Sequence, residues 1–485
     1  MAPRVDTTVD RVQSTAIEGR MRDLRHRQKQ LLSLHQQLKG NEAEILKALC
    51  IDHHVTADEA SFILGSTLSE IRVHYNALDL KKELIDEYGI KWARSNQDKR
   101  TAQPLAYVVP DHFVLLYSAL SAFAAATEAG TCCVFKIENS PSLTLPLLGQ
   151  IFGQLHDKEA VCITGVEPNL EFLRQCLIVD QLGNSDIVMR TSHPERSLHS
   201  SPESLNIGVV DRTANIKQAA EALVYSRLAF EAASRQAVDQ VFVNEFVLEE
   251  FLDAVKGSIK AWADQRGGEV ENKRPLEDLT KLTSRGYEDV LAKSSSVCSV
   301  LKAVQTRHQD RFLASKIRSG VLVLDVVTSL DDVIDTLLTS DGELGALYIF
   351  AGLKEAKYIS QHIPTRVSFV NHVNRRFQIG PAPPVSHAAS STVRYTRQMF
   401  ENNSPQYVLK DKGRAIEGVD KVLEEARRPL KPTGQAKAGA TGFFDVGVML
   451  GAVVYLLPVA VVGLVGIGFG LQKVFILGAR GLSVL

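Results

Sequence analysis

Between residues 105 and 138 the chain reads LAYVV, then LLYSALSAFAAATEAG, then TCCVFKIE: a strand-length apolar run, a helix-length segment and a second strand-length run. Parallel strands cannot be joined by a tight turn, so a helix between two of them implies a crossover lying on one face of a sheet. The pattern recurs. KEAVCITG, NLEFLRQCLIVDQ and SDIVMRT read as strand, helix and strand, and LNIGVVD adds a further strand. A second series opens at DQVFVNEFVLEEFLDAVKGSI and continues through GVLVLDVVTSLDDVIDTLLTS, ALYIFAGLKEAKYISQHI and VSFVNHV. Such alternation predicts an α/β fold with parallel sheets covered by helices, an architecture that binds nucleotides outside the carboxyl ends of its strands.

The segment N-terminal to this core is helical. Residues 9 to 90 return leucines every three or four positions, as in RMRDLRHRQKQLLSLHQQL, which predicts an amphipathic layer over 1–90. His53 and His54 are neighbours, so on a helix they point to different sides and do not chelate one metal together. The C-terminal segment is first polar and then greasy. RRPLKPTGQAKAGATG reads as a flexible tether over 413–442. From Val446 to Leu471 the chain runs 26 residues without a charge, with Arg427, Arg428, Lys431 and Lys437 before it and Lys473 and Arg480 after it. About 20 apolar helical residues cross a bilayer, so 443–471 is expected to be a transmembrane tail anchor. Pro458 kinks such a helix, and Gly447–Gly451 and Gly466–Gly470 have the GxxxG spacing of packed spans. The expected location is a membrane, with the bulk of the chain cytosolic, on the endoplasmic reticulum or another organelle surface.

Charge and cysteines narrow the function. A formal net charge of -1 gives none of the basic excess that draws a protein onto nucleic acid. The six cysteines form no CxxC pair and no Cys/His ligand spacing, which disfavours structural zinc and suits a reduced compartment. The opening MAPRVDTTVDRVQ has no apolar run of the signal-peptide kind, and the acceptor Asn402-Asn403-Ser404 is expected to stay unmodified.

Residues 228–246, LAFEAASRQAVDQVFVNEF, are built to present a reactive side chain ahead of a strand, and the side chain at the centre is Arg235. With EAGTCCVFKIENSPSLTLPLLGQIF, SLDDVIDTLLTSDGELGALYIFAG and VSFVNHV, the order of segments from about Arg22 to Lys410 resembles the aldehyde dehydrogenase superfamily, nearest its membrane-anchored fatty-aldehyde branch. The resemblance implies a Rossmann-like cofactor domain over 91–228, a catalytic α/β domain over 229–380 and an oligomerisation arm over 381–412. It implies NAD(P) as cofactor and a lipophilic aldehyde, or the matching carboxylate, as ligand.

The family's chemistry needs a cysteine thiolate, a glutamate base and an oxyanion donor. This chain departs from each. Arg235 falls at the nucleophile, and no cysteine lies between Cys176 and Cys298. Ser201 or Glu203 falls at the base, and His112 at the oxyanion asparagine. A guanidinium stays protonated and forms no thiohemiacetal. On the cofactor side Lys136 matches the adenine-ribose lysine, with Glu138 or Asn139 beside it. The pyrophosphate turn survives only as MRTSHPERS, Lys316 stands at the nicotinamide-ribose glutamate, and IGPAPPVSHAASS replaces a late glycine-rich loop.

The expectation is therefore an aldehyde dehydrogenase homologue that has lost the standard oxidation, binds NAD(P) weakly or not at all, and serves as a binding or accessory subunit. It is expected as a homodimer or paired with an active paralogue. The alternative is an oxidoreductase that oxidises a lipophilic aldehyde with rearranged residues. A buried Arg235 needs a carboxylate, and Glu203 and Glu231 are the candidates near it in sequence, unless it reaches water from a displaced loop.

Overall fold

In the computed structural model of the chain, the described residues are 7–458 apart from 89–90, 92–94, 96–98, 139–141, 192–195, 267–276, 285, 291–297, 304–311, 314, 340–341, 405–406, 408–418, 432–433 and 435–445. They divide into two units, 1–409 and 410–485. The first begins with helices α1 (Thr7–Glu18), α2 (Leu24–Gly40), α3 (Glu42–His53), α4 (Ala57–Ala77) and α5 (Leu80–Tyr88), followed by the short strand β1 (Arg100–Ala102). Helix α4 starts on a reciprocal cap: Thr56 Oγ1 accepts from Glu59 N at 3.2 Å while Glu59 Oε2 accepts from Thr56 N at 3.0 Å.

The first sheet is built from β2 (Leu105–Val109), α6 (Leu115–Ala129), β3 (Cys132–Lys136), α7 (Thr144–Gly153), β4 (Val161–Thr164), α8 (Leu170–Leu173), β5 (Leu177–Asp180), α9 (Ser185–Thr191) and β6 (Ser197–His199). Its order is β4-β3-β2-β5-β6, parallel throughout. Every residue of β2 and of α6 is buried, as expected where helices cover a parallel sheet on both faces. Two sequence expectations invert here. SDIVMRT, read as a strand, is helix α9. NLEFLRQCLIVDQ, read as one helix, contains only the single turn α8 before LIVD enters the sheet as β5. The short apolar run obeys the sheet because it is buried on both faces, where helical periodicity carries no information.

The second sheet takes β7 (Leu205–Val210), α10 (Ile216–Leu228), β8 (Gln240–Asn244), α11 (Leu248–Gln265), α12 (Glu277–Ser284), β9 (Tyr287–Asp289), β10 (Ser299–Ala303), β11 (Val321–Val327), α13 (Leu330–Leu338), β12 (Leu344–Phe350), α14 (Leu353–His362) and β13 (Val367–Val370). The order is β13-β12-β7-β8-β11-β10-β9, parallel except for β9 on β10. Since β7 and α10 belong to this sheet, the first α/β layer ends near residue 204 and not at 228.

Of the expected arm, β14 (Glu401–Asn403) pairs antiparallel with β1 of the same chain. Arg394 N donates to Glu70 Oε1 at 2.7 Å, and α4 and α6 are joined behind it by His74 Nδ1 and Glu128 Oε2, 2.6 Å apart and buried. The second unit holds α15 (Val419–Arg427) and a helical stretch over 446–458. Among the described residues no helix is long and apolar enough to cross a membrane. The remainder of the expected span, 459–471, lies outside the described residues.

Candidate functional site

In a parallel sheet of order β4-β3-β2-β5-β6 the chain reverses its direction of growth between β2 and β5, and the carboxyl ends of those two strands frame the ligand crevice. Strand β2 leads into the turn Pro110–Val114, which holds no glycine. Asp111 in this turn is fully buried. Its backbone N–H donates to Gln181 Oε1 at 2.9 Å, and Gln181, just past β5, donates from Nε2 to Ser118 O at 2.9 Å.

Arg235 meets Asp111 there. Nε donates to Asp111 Oδ2 and Nη2 to Oδ1, both at 2.7 Å, the parallel two-point grip that a planar guanidinium makes on a carboxylate. Burial disfavours the guanidinium charge, but the hydrogen bonds and charge of Asp111 outweigh it and hold Arg235 above its ordinary value. The partner is thus neither Glu203 nor Glu231. Glu203 is exposed and pairs with Arg318, adding only a distant field at Arg235. Glu231 pairs with Arg266 at 2.7 Å.

The loop carrying Arg235 is tied down on every side. Asn206 Nδ2 donates to the carbonyls of Arg235 and Ala237, at 2.9 and 3.1 Å. Ser234 Oγ donates to Gln378 O at 2.6 Å, and Tyr348 OH to Gln236 O at 2.7 Å. Behind it Asp239 Oδ2 accepts from Asn206 N at 2.8 Å and from Lys316 Nζ at 3.1 Å, with Arg227 Nη1 3.6 Å from Oδ1. Burial pulls the Lys316 ammonium below its usual value, against the pull of Asp239. Lys316 therefore anchors the loop from below. Upstream, Phe230, Glu231 and Ala232 all take the left-handed conformation, at φ 55°, 56° and 57°, without a glycine among them.

The remaining expected residues are dispersed. His112, next to Asp111, is exposed. Ser201 donates to Glu343 Oε2 at 2.5 Å. Strand β6 ends two residues earlier, at His199, whose Nδ1 lies 3.1 Å from Asp180 Oδ2 at the end of β5. Sequence reading passed over His199; its only signal was its place at the end of a short strand whose register the turn after it concealed. Lys136 stands at the carboxyl end of β3, 3.4 Å from Glu138; Asn139 lies outside the described residues. The strand-to-helix turn between β5 and α9 is Gln181–Asn184, with Gly183 at φ 75°, upstream of the MRTSHPERS segment that the resemblance singled out.

Burial pushes the thiols of Cys132 and Cys298 up to about 12 and those of Cys133 and Cys176 higher still, so all four stay protonated at neutral pH. Among the described residues no group of three or more His, Cys, Asp or Glu side chains is placed to hold a metal ion.

No family model and no curated protein matches the chain. Solved structures do. The chain is similar to substrate-bound AldH of Staphylococcus aureus, with 14% identity over 87% of this chain and 99% of that one and a TM-score of 0.63. It is similar to succinic semialdehyde dehydrogenase of Streptococcus pyogenes in complex with NADP+ (13%, 84% and 96%, 0.64) and to a lactaldehyde dehydrogenase (12%, 83% and 90%, 0.63). At such identities the likeness establishes the fold, which is that of the aldehyde dehydrogenases.

Proposed function

We propose that this chain is an aldehyde-dehydrogenase-fold protein that has given up thiolate-dependent aldehyde oxidation and acts as a membrane-anchored binding or accessory subunit. The observation behind this reading is the Asp111–Arg235 pair in the crevice between β2 and β5. A thiolate attacks because it holds an unshared pair at neutral pH; a guanidinium holds its proton and, gripped at two points, has no freedom to leave. The cofactor side argues against the dinucleotide: the pyrophosphate turn survives only as MRTSHPERS, and Lys316, which stands where relatives carry the nicotinamide-ribose glutamate, is buried on Asp239 at 3.1 Å. NAD(P) accordingly binds weakly or not at all.

Anchoring rests on the uncharged run 446–471 and its basic flanks, with the bulk of the chain facing the cytosol. In this reading the protein works as a homodimer or beside an active paralogue. The test is NAD(P)H formation by the purified full chain offered long-chain and aromatic aldehydes, with calorimetry of NAD and NADP in parallel. No turnover and no micromolar dinucleotide binding are expected. Turnover that saturates with aldehyde would instead establish an oxidoreductase working through rearranged residues.

A further inference from the structure

A groove of about 1660 Å³ runs between the N-terminal helices α3 and α4 and the pair α10 and α11, on the far side of α10 from the second sheet's strands. Its floor is aromatic. Tyr225 and Trp262 meet edge to face with ring centroids 5.9 Å apart, and Phe62 and Phe230 close the end near α4. Each of the first two rings already carries a cation: the Arg266 guanidinium lies 4.7 Å from the centre of Trp262, and that of Arg375 lies 4.7 Å from the centre of Tyr225. Arg266 is also held by two carboxylates, Glu59 at 2.5 Å and Glu231 at 2.7 Å. An aromatic face with acids at its edge is a cation receptor.

Two further observations bear on what fills it. Besides Glu59 and Glu231 the walls carry Asp58, Glu221 and Glu250, five carboxylates against the cations Lys217, Arg266 and Arg375, so the lining is net negative by two. Glu59 Oε1, which takes Arg266, also accepts from Phe230 N at 3.0 Å, and so the arginine is fastened to the left-handed turn 230–232. Left-handed backbone is disfavoured for residues other than glycine. A strained turn kept in place by an internal cation marks a seat from which that cation can be displaced.

We propose that the groove is a binding site for a small organic cation, an ammonium or guanidinium on an aliphatic chain, and that Arg266 occupies the seat in its absence. The charged head takes the Trp262 face between Glu59 and Glu231, and the aliphatic chain lies along Tyr225 and Phe62. The ligand and Arg266 compete, which separates this site from a merely greasy groove.

The test is calorimetry of the full chain in micelles, against protein-free micelles, with hexylammonium, hexylguanidinium and hexanoate. The two cations are expected to bind saturably and hexanoate not to bind. Arg266→Ala empties the seat and is expected to tighten cation binding about tenfold. Glu59→Gln with Glu231→Gln, which preserves the α4 cap, is expected to weaken it at least tenfold. Equal binding of hexanoate, or an Arg266→Ala protein that folds by circular dichroism and binds no more tightly, overturns the proposal. Should Arg266→Ala not fold, Arg266→Met keeps the stem on Trp262 and makes the same comparison. Oxidation of an aldehyde by the chain would refute the proposed function and leave this result untouched.

Discussion

Arg235 and Asp111 hold one another in a place where neither is tolerated alone. Asp111 is fully buried and Arg235 mostly so, and removing one member of a buried pair costs on the order of 3–5 kcal/mol because the other charge is left uncompensated. Arg235→Cys, which supplies a thiol at the position proposed for the nucleophile, is therefore expected to lower stability by about that much and to yield no NAD(P)H, since the base is not supplied with it. Adding Asp111→Asn, which keeps an acceptor for Phe113 N, is expected to recover most of the loss, and urea denaturation of the four chains gives the coupling energy. A second residue carries a pH signature. Burial lowers the basicity of His74, but the hydrogen bond to Glu128 and the nearby carboxylate of Glu70, 4.0 Å from Nε2, outweigh it and push it up to about 9. A folded-state value above the ordinary 6.5 stabilises fully below pH 6.5 and is lost as pH rises through 9. The loss is on the order of 3 kcal/mol. Thermal melts between pH 7 and 10 are expected to fall more steeply for the natural chain than for His74→Gln.

At the scale of elements the hinge between α6 and β3 depends on one residue. Gly130 ends α6 at φ 102°, and a Cβ there would stand 2.7 Å from the carbonyl oxygen of Met21. Gly130→Ala thus adds a left-handed penalty to a backbone clash that no rotamer relieves, and a loss of about 2–3 kcal/mol is expected, read as a fall in melting temperature. This crossover was legible in sequence because α6 is long, mostly apolar and closed by a glycine. The crossover around α8 and β5 was not. A four-residue strand buried on both faces carries no period of its own, and α9 mixes β-branched residues into seven positions. The site shows the same division. That a buried Arg235 needs a carboxylate followed from its charge, whereas which carboxylate did not, because Asp111 is 124 residues distant and the two candidates near it in sequence were taken by Arg318 and Arg266. Pairing across sheets is set by topology, and local spacing carries no trace of it.

For the molecule as a whole, both parallel sheets and their buried clusters lie, among the described residues, within residues 1–409. Folding of the α/β body should then be independent of the C-terminal 76 residues, 410 to 485. The two units differ in what they ask of solvent. The body buries its apolar side chains internally, whereas the run from Val446 to Leu471 has 26 consecutive residues without a charge to keep it in water. Transfer of a CH₂ group to hydrocarbon contributes roughly 0.8 kcal/mol, so on the proposed reading a run of this length would hold the chain in a bilayer, with the basic residues at 427, 428, 431 and 437 on the cytosolic face. The full chain is expected to sediment with membranes through a high-salt wash and to be released by detergent. A chain ending at Leu409 is expected in the supernatant, with the same melting transition by circular dichroism and the same lack of aldehyde oxidation. Recovery of the full chain in the supernatant without detergent would refute the anchor. A truncated chain that fails to melt cooperatively would show that the second unit supports the body after all.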